Sequence, residues 1–152
     1  MDLNLQGKVA IVTGGSTGIG AGICEYLAQE KVHVAVNYIV DEEQAVAFAK
    51  RLSEEHGVSC IPVYGDVSKS EDDDAMVAQV LEVFGSIDIL VNNAGIWPTE
   101  SMVDMPDANW KRVIDINLNG AYLLTKRVAR SMIEQKRRGV IINMSSKSGF
   151  QC

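Results

Sequence analysis

Short apolar runs rich in β-branched residues alternate along this chain with longer stretches whose apolar positions recur every three or four residues. That alternation predicts strands separated by helices. Residues 8–12 form the first run, and the glycine-rich segment 13–20 bounds it at once, so a buried strand leads into a tight turn. From Thr17 onward Ile23, Leu27 and Ala28 recur at helical spacing, and residues 32–38 predict a second strand. Asp41, Glu42 and Glu43 put acids where the positive end of a helix favours them. Ala45, Ala49, Leu52 and His56 continue that helix and Gly57 supplies its stop. Residues 58–63 predict the third strand. Ser70 and Asp73 stand three apart like a capping box, opening a helix with Met76, Val77, Val80, Leu81 and Phe84 on one face and Gly85 at its end. Residues 87–92 predict the fourth strand, Pro106 the first position of one long helix reaching Arg138 and Gly139, and residues 140–144 the fifth strand.

Strands and helices in strict alternation form βαβ units, and right-handed crossovers then require a parallel sheet with helices on both faces. No linker, repeat or low-complexity stretch interrupts the pattern, and 152 residues suit one α/β domain spanning 1–152. Fourteen Lys plus Arg against 20 Asp plus Glu gives a net charge of −6, which disfavours nucleic acid and anionic membrane surfaces as partners. No apolar stretch approaches the roughly 18 residues of a membrane span, and the start Met1-Asp2-Leu3-Asn4 lacks an export signal, which predicts a cytoplasmic protein. Cys24, Cys60 and Cys152 are widely spaced with no CxxC pair, so neither a disulfide framework nor a zinc site is expected. Lys126, Arg127, Arg130, Lys136, Arg137 and Arg138 crowd the last helix, and read as a solvated face matched to the negative end of the helix.

The candidate chemistry lies in the glycines. A strand-to-helix turn with Gly14, Gly18 and Gly20 after Thr13 lets backbone N–H groups and a helix N-terminus approach a pyrophosphate that side chains would block. An asparagine, Asn117, followed by Gly120 inside an otherwise apolar helix works against helix propensity and asks for a reason other than packing.

The segment Thr13-Gly14-Gly15-Ser16-Thr17-Gly18-Ile19-Gly20 resembles the T-G-x-x-x-G-x-G cofactor turn of the short-chain dehydrogenase/reductase family. Four further segments are similar in the family's order: Asp66-Val67, Asn92-Asn93-Ala94-Gly95, Ile116-Asn117-Leu118-Asn119-Gly120 and Ser145-Ser146-Lys147-Ser148-Gly149. The resemblance implies a Rossmann-type doubly wound sheet of strand order 3-2-1-4-5, without the family's later helices and strands. It implies an NAD(P)-dependent oxidoreductase that moves a hydride between the nicotinamide and a carbonyl or secondary alcohol, like 3-oxoacyl reductases or sugar and alcohol dehydrogenases. On this resemblance Gly14, Ser16, Thr17, Gly18, Ile19, Gly20, Asn37, Asp66, Val67, Asn93, Ala94 and Gly95 contact the cofactor, Asn117 and Ser146 are catalytic, and no metal is involved. A small carbonyl or alcohol substrate and a homo-oligomer are implied as well.

In the family a Tyr-x-x-x-Lys pair shortly after the serine exchanges the proton, because an unassisted tyrosine, titrating near about 10, is a poor base at neutral pH. The sequence ends at Cys152 with no such pair after Ser146, so the chain is expected to be truncated relative to the family and inactive alone. Tyr122-Leu-Leu-Thr-Lys126 fits the pattern but precedes Ser146, where the family has a structural aromatic. The alternative is a non-catalytic dinucleotide-binding or interaction module, prone to associate through an uncovered sheet edge and helix face. For the cofactor, the family's NADP-preferring positions hold Thr17 and Ile39 rather than cations, while the position of the NAD-preferring acid holds Asn37. Asp41, Glu42 and Glu43 would repel a 2′-phosphate, so either cofactor is open with NAD favoured. Trp97 after Asn-Asn-Ala-Gly-Ile either borders the pocket or packs on its own domain.

Overall fold

A computed structural model describes residues 3–146 of the chain. Its elements run β1 (Val9–Val12), α1 (Gly18–Gln29), β2 (His33–Tyr38), α2 (Glu42–His56), β3 (Cys60–Tyr64), α3 (Ser70–Phe84), β4 (Ile89–Asn92), α4 (Asp107–Ile114), a π-helical segment (Asp115–Gly120), α5 (Ala121–Glu134) and β5 (Val140–Asn143). All strand pairs are parallel and the sheet order is β3-β2-β1-β4-β5, the doubly wound order expected from the sequence.

Every residue of β1 is buried because the sheet is covered on both faces. Ala10 and Val12 point into a core with Cys24 and Ala28 of α1 and Leu52 of α2. Val9 and Ile11 point the other way, against Met76 and Val80 of α3 and Leu124 and Val128 of α5. Cys24 and Cys60 lie buried and unbridged, and burial raises both thiols above their ordinary range, leaving them as inert small apolar groups. Cys152 lies outside the described residues. The basic C-terminal region is partly tied down: Arg127 grips Asp74 through two hydrogen bonds of 2.6 and 3.1 Å, and Arg137 reaches the buried Asp88, which also accepts from the Val9 N–H.

Two local expectations are corrected. The Ser70–Asp73 capping box does not form: the residue at the N-cap is Lys69, no side chain caps the helix, and the Asp73 carboxylate is fully buried without a hydrogen-bond partner. Helical pitch turns residue 73 inward with Met76, Val77 and Val80, so it is unable to reach back to the start of its own helix. Entry to α3 is organised instead by Asp66, whose carboxylate accepts from the Ser68 N–H and hydroxyl, and by Asp72, which accepts from the Asp66 N–H.

The single long helix also fails to form. Pro106 is the N-cap rather than the first helical residue, Asp115–Gly120 widens into a π segment, and the helix stops at Glu134, short of Arg138. Asn117 and Gly120 lie in the widened stretch, where low helix propensity makes the departure cheap. Gly120 has a packing reason too, since a Cβ there would come within 2.8 Å of Val67 Cγ2. No residue of α4 is buried, and β5 forms an open edge with Val140 and Ile142 both substantially exposed.

Candidate functional site

β1 is flanked by β2 on one side and β4 on the other, so the chain leaves the sheet's midline in opposite directions and opens a crevice at the carboxyl ends of the strands. Three loops, 13–17 after β1, 65–67 after β3 and 93–96 after β4, line it together with residues 39–41 after β2 and 144–146 after β5.

Thr13 is the knot between the first and third loops. Its buried hydroxyl donates to the Val91 carbonyl and accepts from the N–H groups of Asn93 and Ala94, both at 2.9 Å. Asn93 returns the tie, its amide donating to the Thr13 carbonyl at 2.9 Å. Asn37, almost fully buried at the end of β2, joins the first loop to the second: its Oδ1 accepts from the Gly14 N–H at 3.0 Å and its Nδ2 donates to the Gly65 carbonyl at 2.9 Å. The Asn37 amide is thereby committed to holding loops together.

The glycines behave as three different devices. Gly14 and Gly18 have φ of +60° and +54°, the left-handed region that favours glycine. Gly20 is a packing glycine, because a Cβ there would lie 2.1 Å from the Gly14 carbonyl oxygen and 2.7 Å from Asn93 Nδ2. Around Gly18 a Cβ would meet only open space, which is the close-approach surface that a pyrophosphate at a helix N-terminus requires. α1 begins at Gly18, with Thr17 as N-cap whose side chain makes no capping bond.

Two clefts open from these loops and share Val67, Ala94, Gly95, Ile96 and Ile116. The first, about 270 Å³, is walled by Tyr38–Asp41 and Gln44 on one side, by Ile116 and Arg112 on the other, and floored by Gly65, Asp66 and Val67. Gly14, Ser16 and Thr17 form its inner rim. The second, about 550 Å³, holds Thr13, Ile19, Asn93, Asn117 and Ser146 together with Ser145 and Asn143 at the end of β5. Asn92 fixes that end, its amide donating to Asn143 Oδ1 at 2.8 Å and to the Thr125 hydroxyl at 2.9 Å.

Asn117 has a definite structural task. Its Oδ1 accepts from the Ile96 N–H and its Nδ2 donates to the Ile96 carbonyl, both at 2.9 Å, so one side chain clamps the third loop by both backbone groups. Tyr122 and Lys126 lie exposed on α5 and line neither cleft. Trp97 does not pack on its own domain: it is 74% exposed and borders both the 550 Å³ cleft and a shallower apolar one of about 390 Å³ with Met102, Met105 and Trp110. Lys147, Ser148 and Gly149 lie outside the described residues.

Of the sequence-identified positions, Gly14, Ser16, Thr17, Asn37, Asp66, Val67, Ala94 and Gly95 line the first cleft and Ile19, Asn93, Asn117 and Ser146 the second, whereas Gly18 and Gly20 line neither. Thr13, Ile96, Ile116 and Arg112 were missed as site residues. Thr13 carried a signal as the last residue of a buried run before a glycine; for Ile116 and Arg112 the signal was a spacing of four on one helix face.

Among the described residues no helix is long and apolar enough to cross a membrane. The model of the short chain dehydrogenase family matches residues 8–152. The chain is 40% identical over 147 residues to an uncharacterized oxidoreductase of Thermotoga maritima, covering 97% of this chain and 56% of that protein. It is 39% identical to glucose 1-dehydrogenase 2 of Bacillus subtilis, over 94% of this chain and 55% of the relative. The 3-oxoacyl-(acyl-carrier-protein) reductase FabG of Staphylococcus aureus is also 39% identical, over 93% and 57%. Among solved structures, L-sorbose reductase from Gluconobacter frateurii, in complex with NADPH and L-sorbose, superposes with a TM-score of 0.89 at 34% identity, over 94% of this chain and 54% of that one. The chain therefore spans about half the length of the relatives it matches.

Proposed function

We propose, since the chain belongs to the short chain dehydrogenase family, that residues 1–152 are the dinucleotide-binding domain of an NAD(P)-dependent oxidoreductase acting on a carbonyl or secondary alcohol. One observation carries the reading: two clefts joined end to end at Val67, Ala94–Ile96 and Ile116, running under a glycine loop whose Gly18 faces open space. The bound nicotinamide would supply or accept the hydride. The chain's own residues then have separable tasks.

Gly14–Gly20 hold the pyrophosphate against backbone N–H groups and the start of α1, with Ser16 and Thr17 at the rim. Asp66 and Val67, in the smaller cleft, would meet the adenine, and Ala94 and Gly95, shared by both clefts, would border the dinucleotide between them. There Ile19 packs against the nicotinamide end, Ser146 donates its hydroxyl to the substrate oxygen, and Asn117 fixes the loop that borders both. Asn37 and Asn93 act by positioning, because their amides are already bonded to the loops.

Ser146 alone is no base near neutral pH, and the family's Tyr-x-x-x-Lys pair has no counterpart after Ser146 within these residues. The finer reading is that this chain by itself binds and orients but does not turn over, while the whole protein carries the reductase or dehydrogenase activity. NAD is the favoured cofactor, since Asp41 lines the smaller cleft beside the tip of β2 and, among the described residues, the segment 38–44 there brings no cation to it. Association with a second copy through the exposed Leu118 of the π-helical segment and Tyr122 and Ile133 of α5 completes the reading, in a cytoplasmic setting that suits two unbridged thiols.

Titration with NADH and NADPH, followed by energy transfer from the exposed Trp97 to the reduced nicotinamide, tests the core claim. Saturable binding of either, tighter for NADH, is expected. Absence of saturable binding of both at millimolar concentration would refute it.

A further inference from the structure

Arg112 is the single cation among the described residues that line either cleft, and its guanidinium makes no hydrogen bond or salt bridge with another described residue. Its neighbours in sequence behave differently: Lys111 and Asp115 do not line the clefts, whereas Ile116, four residues on, does. A spacing of four puts Arg112 and Ile116 on one face, one turn apart, forming the wall opposite the tip of β2. The place expected for a 2′-phosphate is beside Ile39 and Asp41 at that tip, across the cleft from Arg112.

Resting on the dinucleotide reading above, we propose that Arg112 is a cofactor-gripping residue that lays its guanidinium plane on the adenine base in the cleft that Arg112 and Ile116 both line. An exposed guanidinium gains little from a solvated point charge but gains from a flat π face brought against it. An adenine held in this cleft, which Asp66, Val67 and Arg112 all line, would offer such a face. Arg112 serves NAD and NADP alike, because it acts on the part the two share.

Titration calorimetry of the protein with NADH, NADPH and ADP-ribose tests this, using Arg112→Ala and Arg112→Lys. The alanine variant is expected to bind all three about three- to ten-fold more weakly, by one common factor, with an unchanged melting temperature because residue 112 is exposed and unpaired. The lysine variant keeps the charge but lacks the plane, so it should recover less than half of the loss in log Kd. A loss confined to NADPH would place the guanidinium on the 2′-phosphate and overturn the proposal, as would full recovery with lysine or no loss with alanine. If the unaltered protein bound none of the three ligands, the dinucleotide reading itself would fail, a result distinct from normal binding by the alanine variant.

Discussion

Asp73 is the least comfortable residue in the fold. Its carboxylate is fully buried on the α5-facing side of α3, neither oxygen has a hydrogen-bond partner, and its neighbours in the helix interior are Met76, Val77 and Val80. The charges that act on it are Arg127 of α5, which favours ionisation, and Asp74, Asp72 and Asp66, which oppose it. Arg127 is already engaged in two hydrogen bonds with Asp74. Burial therefore dominates and pushes the Asp73 carboxyl from its ordinary 3.8 up to about 7.

A carboxyl whose folded value lies above its unfolded one binds more protons in the folded chain, so stability falls as pH rises from about 4 to about 7 and stays low above that. The difference between the two values corresponds to about 4 kcal/mol as an upper figure, and about 2–4 kcal/mol allows for relaxation around the charge. Replacing Asp73 by Val, close in volume and apolar, removes that cost. With a urea slope of about 1–3 kcal/mol/M, the unfolding midpoint of Asp73→Val at pH 8 should rise by roughly 1–2 M over the unaltered chain. At pH 5 the two midpoints should lie much closer together, because the protonated acid costs only its unmade hydrogen bonds. Comparing the two proteins at each pH cancels the other titrating groups. A variant that unfolds at lower urea than the parent at pH 8 would refute the reasoning, since it would mean that Asp73 makes a favourable ionic contact.

Three other expectations follow from the loop geometry. Gly18→Val should abolish measurable dinucleotide binding, because a branched side chain is strained at φ +54° and projects into the open surface beneath the pyrophosphate; calorimetry showing an unchanged Kd would remove that turn from the site. Thr13→Val leaves the Asn93 and Ala94 N–H groups without their acceptor and should cost about 2–3 kcal/mol in urea unfolding, whereas Thr13→Ser keeps the hydroxyl and should recover most of it. Asn117→Ala releases both backbone groups of Ile96, and hydrogen exchange should show that amide opening at least ten-fold faster while amides of β1 are unaffected; equal protection in both proteins would mean that the clamp is not what holds the loop.

What the sequence made legible was whatever depended on period and on backbone freedom. The strand order and the alternation of helices were readable because both faces of β1 are buried, so its run has no polar gap, and because Gly57 and Gly85 end their helices in the left-handed conformation. The capping box failed because a side chain with two chemically reasonable partners is placed by helix rotation rather than by spacing. Asp73 is three residues from Ser70, which suits a cap, but it is also three residues from Met76, and that periodicity buries it. Asn117 stood out because nothing local explained it, and the structure adds that its amide answers a backbone segment twenty-one residues upstream. Asn37 stands where the family's NAD-preferring acid would be, and what its spacing could not show is that its amide spans Gly14 and Gly65, two loops brought together only by the sheet order. Polar residues at the carboxyl edge of this sheet are thus spent first on holding three loops in register; among the cleft-lining side chains that take no part in those ties are the hydroxyls at 16 and 17 and the cation at 112. Sequence motifs for such folds register the loop scaffold as much as the ligand contacts, because a dinucleotide held mainly by backbone needs its loops fixed before it needs side chains.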